Sequence, residues 1–280
     1  MAGRGRPARR IGAMVMVLLC AARAPVAAQA VLLEIRPRVG DTLRMRLDQR
    51  VEMTGTARMH GADSTVTTTT VMRVFAHSIV KLADESGTTM LAVTDSVAMT
   101  DSAGRPLASA EQSRRSLQGR PVSLHVAPDG GTKVVEAGSP VAPELRGLFA
   151  QMPATLPRAA VSVGDVWSRT MDIPGGAAGG RRVGTMVATF RLDSLTHGGD
   201  VAHISMRGSL SRDGAGEPPQ GVKVVQSGII TGTMAIDRRR GWMTDARTTL
   251  LVHSVLTPPP GRGGEPMKVR MKVTQWLRAM

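Results

Sequence analysis

The stretch LRMRLDQRVEMTGTARM, residues 43–59, decides the fold of this chain. Apolar residues such as Leu43, Met45 and Leu47 alternate there with arginine, aspartate, glutamate and threonine. This is a period of two held for about eight repeats. Only an extended strand with one buried and one solvated face satisfies that period. The chain is therefore built on long amphipathic strands.

Similar patterns recur along the chain, separated by turn residues. Extended segments are predicted at 31–35, 43–59, 66–82, 89–99, 122–126, 133–135, 183–195, 201–210, 222–236, 242–255 and 267–277. In the segment 89–99, Leu91, Val93, Val97 and Met99 are expected to share a face. The pattern predicts a mainly β fold: long antiparallel strands in a curved sheet or half-barrel, with one amphipathic helix.

The helix is predicted at 139–152. Ser139 can cap it, and apolar residues follow at helical spacing, namely Leu145, Leu148, Phe149 and Met152. Residues 109–117 fit a short helix or a loop equally well. We interpret residues 31–280 as a single β-rich domain, with two halves, 31–137 and 160–280, joined by helix 139–152.

The two halves open alike, at Gly40-Asp41 and at Gly164-Asp165, each preceded by valine. One interpretation is a duplicated β-unit. The other is that Gly-Asp is a common turn and that all amphipathic strands have the same alternation. The sequence leaves both open.

Residues 1–30 have the pattern of a secretory signal peptide. Arginines precede an apolar run from Ile11 to Ala22, and Ala28-Gln29-Ala30 matches a cleavage site. The apolar run is too short to cross a bilayer as a helix, so we expect cleavage near Ala30, no retained transmembrane segment and a periplasmic or secreted protein. A lipoprotein is the alternative, but Leu19 before Cys20 is not the small residue that lipidation requires.

Cysteine content and net charge limit the chemistry and the classes of partner that we expect for this chain. The sole cysteine, Cys20, lies in the leader, so the mature chain would have neither disulfides nor thiolate chemistry. The net charge is +14, and +9 without residues 1–30, which hold five arginines and no acids. This charge favours an anionic envelope surface as a partner. The other interpretation is that codon bias produces the Arg-, Ala- and Gly-rich composition. With no Tyr, three Phe and three Trp, the chain lacks the stacking residues of single-strand readers, and we expect no nucleic-acid partner.

No motif for catalysis stands out. The six histidines show no metal-ligand spacing, and there is no nucleophile elbow, phosphate loop or dinucleotide fingerprint. We therefore expect neither a metal, nor a cofactor, nor a catalytic residue. A hydrolase site gathered from distant strands is the third hypothesis, and His203 and His253 are the first positions to inspect for it.

Methionine is unusually frequent, with eighteen in the chain, many in the predicted strands. Because methionine is flexible and polarizable, a sheet face lined with it adapts to apolar ligands of several shapes. The other interpretation is that methionine fills a core that lacks aromatic residues. The candidate ligand-binding residues are Met45, Met53, Met99, Met234, Met267 and Met271.

With a leader, long amphipathic strands, one mid-chain helix and Val-Gly-Asp-Val-Trp at 163–167, the chain resembles uncharacterised exported bacterial β-domain families. In layout it is distantly similar to periplasmic lipoprotein carriers, and this implies a curved sheet that holds acyl chains around a helix. The leading hypothesis is a non-enzymatic exported envelope protein that binds an apolar or lipid-like ligand on a Met-lined sheet. The alternative is a structural or partner-docking envelope protein, with Arg44, Arg46, Arg50 and Arg58, or Lys268, Arg270 and Lys272, as its basic face.

Overall fold

The computed structural model describes residues 30–59, 62–108, 110–135, 155–174, 182–212, 223–258 and 265–280. These residues form eleven strands, one α-helix and one short 3₁₀ turn at His197–Gly199. The elements are β1 (Thr42–Met59), β2 (Ala62–Asp84), β3 (Gly87–Asp101), α1 (Ala110–Leu117), β4 (Pro121–Val126), β5 (Thr132–Val134), β6 (Val166–Pro174), β7 (Arg182–Thr196), β8 (Val201–Arg212), β9 (Lys223–Asp237), β10 (Trp242–Thr257) and β11 (Met267–Ala279).

All strands belong to one antiparallel sheet in the order β5-β4-β3-β2-β1-β11-β10-β9-β8-β7-β6. From β1 to β5 the chain moves outward to one edge. It continues at the opposite edge with β6 and returns inward to β11, which pairs with β1. The edge strands β5 and β6 do not pair with each other, so the sheet is not closed. The predicted fold class, a curved antiparallel sheet with one helix, is confirmed.

Strand positions follow the sequence pattern closely, with three corrections. The strand β6, Val166–Pro174, lies outside the predicted extended segments. The segment 31–35 forms no strand of the sheet and makes only an isolated bridge, from Val31 to Val161. In β3, Leu91 and Val93 do not share a face with Val97 and Met99, because the pairing with β2 shifts between Phe75 and Ala76. Asp95 is the extra residue of this bulge, and one extra residue reverses the faces beyond it.

The buried core lies on one face of the sheet, near one end of the strands. Its members come from β3, β4, β7, β8 and β9 and from the segments 31–35 and 156–161. Leu33 and Phe190 are each 1% exposed. We call the face that carries this cluster the inner face, and the strand ends next to it the filled end. The opposite ends of the strands form the far end.

Backbone hydrogen bonds fix the segment 31–36 at the filled end. The Val31 amide donates to the Val161 carbonyl at 2.8 Å, and the Ile35 amide donates to the Pro128 carbonyl at 2.9 Å. The Arg36 amide donates to the Gly241 carbonyl in the β9–β10 turn at 2.8 Å. The segment thus connects strands of both halves and covers the inner face there.

The two Gly-Asp turns have the same geometry. Gly40 and Gly164 both have positive φ, which glycine adopts without strain. Asp41 accepts from the Arg38 amide at 2.9 Å, and Asp165 accepts from the Ser162 amide at 2.8 Å. Each turn also exchanges two backbone hydrogen bonds with the second strand after it, β2 or β7. The match concerns the turns, and duplication of the whole halves stays a prediction.

The structure resolves one open choice of the sequence, since residues 110–117 form a helix. The predicted leader up to Gln29 and the predicted helix 139–152 lie outside the described residues. None of the helices in the described ranges has the length and apolar character needed to span a membrane.

Candidate ligand-binding face

Strand register places the methionines of the sheet on the inner face. Residues directly opposite each other in antiparallel strands share a face. Met53 is opposite Met271, Met72 is opposite Met99, and Met171 is opposite Met186. The same register gives the inner-face set Met45, Met53, Met72, Met90, Met99, Met171, Met186, Met206, Met234, Met243, Met267 and Met271. Every strand methionine whose side chain the structure describes is in this set.

The six candidate methionines share this face but not one location. Met234 is buried in the core cluster, and Met45 accepts a hydrogen bond from Trp242 Nε1 at 3.4 Å, close to the filled end. Met53 and Met271 face each other toward the far end, and Met267 lies beyond them on β11. Met99 lies on β3, away from this group. The structure therefore brings together Met53, Met271 and Met267.

An apolar band crosses the inner face beyond the core. It consists of two neighbouring cross-strand rows, which lie about 7 Å apart because same-face residues are two positions apart. The first row is Val51, Val273, Leu250 and Ile230, and the second is Met53, Met271, Val252, Leu210 and Met186.

Polar residues border the apolar band on both sides. Toward the filled end, Gln49, Gln275 and Thr248 are opposite one another on β1, β11 and β10. The Thr248 hydroxyl donates to Gln275 Oε1 at 3.3 Å. Toward the far end, the row contains Ser254, Gln226 and Arg212 on β10, β9 and β8. On β8, β9 and β10 the band is therefore limited by polar residues at both sides, whereas β1 and β11 carry Gly55 and Val269 in the far row.

The side chains of the band are most buried on β10 and most exposed on β1. Val252 is 4% exposed, whereas Met53 is 45% exposed. Inner-face glycines explain the difference, since a Cβ at Gly208 would lie 2.5 Å from the Val187 carbonyl oxygen and one at Gly228 would lie 2.5 Å from the Leu251 carbonyl oxygen. Glycine at such positions lets neighbouring strands curve inward. The band is therefore most buried where it meets these glycines, around Val252 on β10.

A depression of about 660 Å³ lies along the middle of the central strands. Most of its lining residues have side chains on the outer face, such as Asp48, Arg247 and Trp276. None of the lining residues belongs to the apolar band, so the depression is separate from it.

The outer face carries a compact charged network on β1, β2 and β11. Asp48 pairs with Arg46 at 2.8 Å, with Arg73 at 2.9 Å and with Arg278 at 3.0 Å. Hydrogen bonds from Arg46, and then from Arg73 and Arg278, outweigh partial burial and lower the pKa of Asp48 to about 2. The guanidinium of Arg278 also stacks on Trp276, with its carbon 3.6 Å from the ring centroid.

The two predicted basic groups differ in how they are neutralised. On β1, Arg46 pairs with Asp48, and Arg50 pairs with Glu52 at 2.7 Å. On β11, Lys268, Arg270 and Lys272 are exposed on the outer face, and no ion pair joins them to described residues. Among the described residues, unpaired positive charge on the outer face therefore includes these three neighbouring cations of β11 as well as Arg44 on β1 and Arg207 on β8.

The histidines proposed for a hydrolase do not converge. His203 Nε2 lies 3.0 Å from the Thr196 hydroxyl, and His253 is exposed on β10, opposite Arg270. His77 Nδ1 lies 2.7 Å from Asp95 Oδ1, on the outer face. In the described part of the chain, no three His, Cys, Asp or Glu side chains are grouped for metal binding.

Sequence reasoning missed Arg212, Gln226 and Ser254. The strand β8 was expected to end at Leu210, which left Arg212 outside it. The available signal was the alternation Met206, Gly208, Leu210, which places residue 212 on the inner face as well. An arginine at such a position interrupts an apolar face.

Comparison with known proteins adds a family match and two distant structural similarities. The model of a family of unknown function (DUF6263) matches residues 142–243. The resemblance to a domain of unknown function is thus confirmed for that part. Among curated proteins, none matches the chain.

A structure of lipovitellin, titled for its lipid–protein interactions, is similar at 9% identity and a TM-score of 0.48 over 87% of this chain. The chain spans only 25% of that lipovitellin chain. OccK2 (OpdF) of Pseudomonas aeruginosa, in complex with glucuronate, is similar at 7% identity and a TM-score of 0.27, over 88% of this chain and 98% of its own. Similarities at this level carry no statement about function.

Proposed function

We propose that this protein is a non-enzymatic exported envelope protein that holds an apolar or lipid-like ligand on its inner face. One observation carries the proposal: every strand methionine whose side chain the structure describes lies on the inner face, and among the described residues the core cluster covers that face at the filled end, whereas Met53 toward the far end is 45% exposed. Flexible thioethers in an apolar band suit a ligand with flexible chains. The leader pattern of residues 1–30 supports export.

The first test is native mass spectrometry, with organic extraction, of the protein purified from an expressing bacterium. A stoichiometric lipid in the complex is the expected result. A clean apo mass that does not change when lipids are offered would overturn the proposal and make the methionine face an ordinary core.

Paired variants locate the ligand. Met53→Asp places a charge in the apolar band and should reduce the retained lipid severalfold, whereas Thr54→Asp, one residue away on the outer face, should not. Met271→Asp should act like Met53→Asp. Circular dichroism checks that each variant is folded. Lipid retention equal to wild type in both methionine variants would show that the band is not the lining.

A second function, docking to an anionic envelope surface, is favoured by the outer side of β11. Its unpaired cations Lys268, Arg270 and Lys272 lie beside exposed aliphatic residues of β9 and β10, namely Val225, Ile229 and Val255. Cations next to apolar side chains match the head groups and the acyl boundary of an anionic bilayer.

Vesicle sedimentation tests this docking. At low salt we expect binding to phosphatidylglycerol vesicles that weakens as salt is added. Lys268→Gln with Arg270→Gln should weaken it further, whereas Arg239→Gln with Arg240→Gln, the same charge change at the filled end, should not. Equal loss in both double variants would mean that net charge, and not this surface, drives association. No association at low salt would exclude it.

A further inference from the structure

One positively charged side chain borders the apolar band without a partner. Arg212, the last residue of β8, lies on the inner face opposite Gln226, and Leu210 of the band precedes it on the same face. The Nε atom of Arg212 is buried and has no hydrogen-bond partner. No ion pair or side-chain hydrogen bond joins its guanidinium to described residues. A buried donor of a charged group is costly unless a ligand or solvent satisfies it.

The neighbours of Arg212 extend this polar row. Gln226 Nε2 donates to the Ser254 hydroxyl oxygen at 3.0 Å, and Ser254 is buried. This bond leaves the Ser254 hydroxyl proton free to donate, since the oxygen acts only as its acceptor. The guanidinium and this hydroxyl therefore supply hydrogen-bond donors next to the apolar band.

Another inner-face arginine shows the contrast. Arg169 lies on β6 opposite Ala188, and its Nη2 donates to the Leu156 carbonyl. That contact ties Arg169 to the chain's own core, where Leu156 is buried. Arg212 has no such attachment and remains available to a ligand.

We propose that Arg212 binds the oxyanion head, a carboxylate or phosphate, of an amphiphile whose apolar chain lies in the apolar band. This inference rests on the proposed function. Arginine binds both oxyanions with two parallel hydrogen bonds. From the Arg212 side the band extends across the sheet through Leu210, Val252 and Met271 to Met53, a span of four strand spacings, about 19 Å. That length accommodates an extended long acyl chain.

The test compares ligands of equal chain length and different heads. Calorimetry of the full chain, delipidated, is carried out with palmitate, hexadecyl phosphate and hexadecanol, with acetate as the head group alone. At least one of the two anions should bind about tenfold more tightly than hexadecanol, because a charge-assisted hydrogen bond is worth about one factor of ten or more. Whichever anion binds more tightly identifies the head. Acetate should not displace it, since acetate lacks the chain.

Three variants isolate the contact. Arg212→Gln should remove the preference for the anion and leave hexadecanol affinity unchanged, which also shows that the variant is folded. Arg212→Lys should keep part of the preference. Arg207→Gln, on the outer face of the same strand, should change neither.

The results that would overturn the inference can be told apart. If hexadecanol binds as tightly as both anions, or if Arg212→Gln keeps the preference, the head contact is wrong while the proposed function stands. If none of the long-chain ligands binds, the proposed function fails as well. Displacement by acetate would show a site for a free anion instead.

Discussion

The two ends of this sheet carry the same alternation of residues but differ in what covers their inner face. At the filled end, the segment 31–36 lies across the strands, and Leu33 is 1% exposed. Toward the far end, Met53 and Val66 on the same face are 45% and 62% exposed, although Val252 and Ser254 on β10 are buried. An apolar face is thus defined by strand periodicity, but its burial depends on a separate segment. The end where apolar positions stay partly exposed is where a ligand can bind.

Truncating one leucine at each end should give the largest difference in the free energy of unfolding between the two ends. Leu33→Ala leaves a cavity in a closed core and should lower the free energy of unfolding by about 3 to 4 kcal/mol. Leu210→Ala in the partly buried apolar band should cost about 1 kcal/mol. Urea unfolding measures both. Equal costs would show that the far end is packed as tightly as the filled end.

Two glycines test how the covering segment is attached. Gly241 has a φ of +60°, and a Cβ there would lie 2.4 Å from the Arg36 carbonyl oxygen. Gly241→Ala should therefore displace the segment and cost about 2 kcal/mol.

Gly55 on the far inner face provides the control, because a Cβ there meets nothing within 4 Å. Gly55→Ala should change the free energy of unfolding by no more than about 0.5 kcal/mol in either direction. If thermal unfolding showed the same loss in both alanine variants, the attachment through the β9–β10 turn would not matter for stability.

The ion pairs of Asp48 on the outer face should contribute less to the free energy of unfolding than the core does, and they should contribute only above acidic pH. The pKa of Asp48 in the folded protein, about 2, is below its usual 3.8. Its stabilisation is therefore complete above about pH 4 and is lost as the pH falls toward 2. Asp48→Asn should remove this part of the pH dependence and cost about 1 kcal/mol at neutral pH, since the site is partly screened by solvent. The free energy of unfolding of wild type and variant is measured between pH 5 and pH 2. If it changes by the same amount in both proteins, this assignment is contradicted.

Most strands and their faces were predictable, because a period of two needs no tertiary information. The strands β1, β9, β10 and β11 lie within two residues of their predicted bounds. The face of Leu91 and Val93 was not predictable. It depends on the bulge at Asp95, where strand pairing and not local sequence sets the register.

The covering segment and the site were only partly predictable. Residues 31–35 are apolar like a strand, but they fill the core instead of extending the sheet, which only tertiary packing decides. The composition of the chain pointed to the methionines as candidate ligand-binding residues. The alternation of apolar and polar residues predicted that they share one face. The band's limits were not predictable, because Gln49, Gln275 and Ser254 are polar residues on an apolar face and become adjacent only through strand pairing.

Oxidation by peroxide should distinguish the methionines of the two ends, with almost no effect on the free energy of unfolding. Peroxide reaches exposed thioethers first, so Met53 and Met267 at the far end should become sulfoxides before Met90 and Met234, which are buried at the filled end. Peptide mass spectrometry measures the order of oxidation. The partly oxidised protein should unfold at the same urea concentration and retain less lipid, because a sulfoxide makes the apolar band polar. Uniform oxidation of all four methionines would mean that the two ends are equally accessible. Oxidation in the expected order without loss of lipid would place the ligand outside the band.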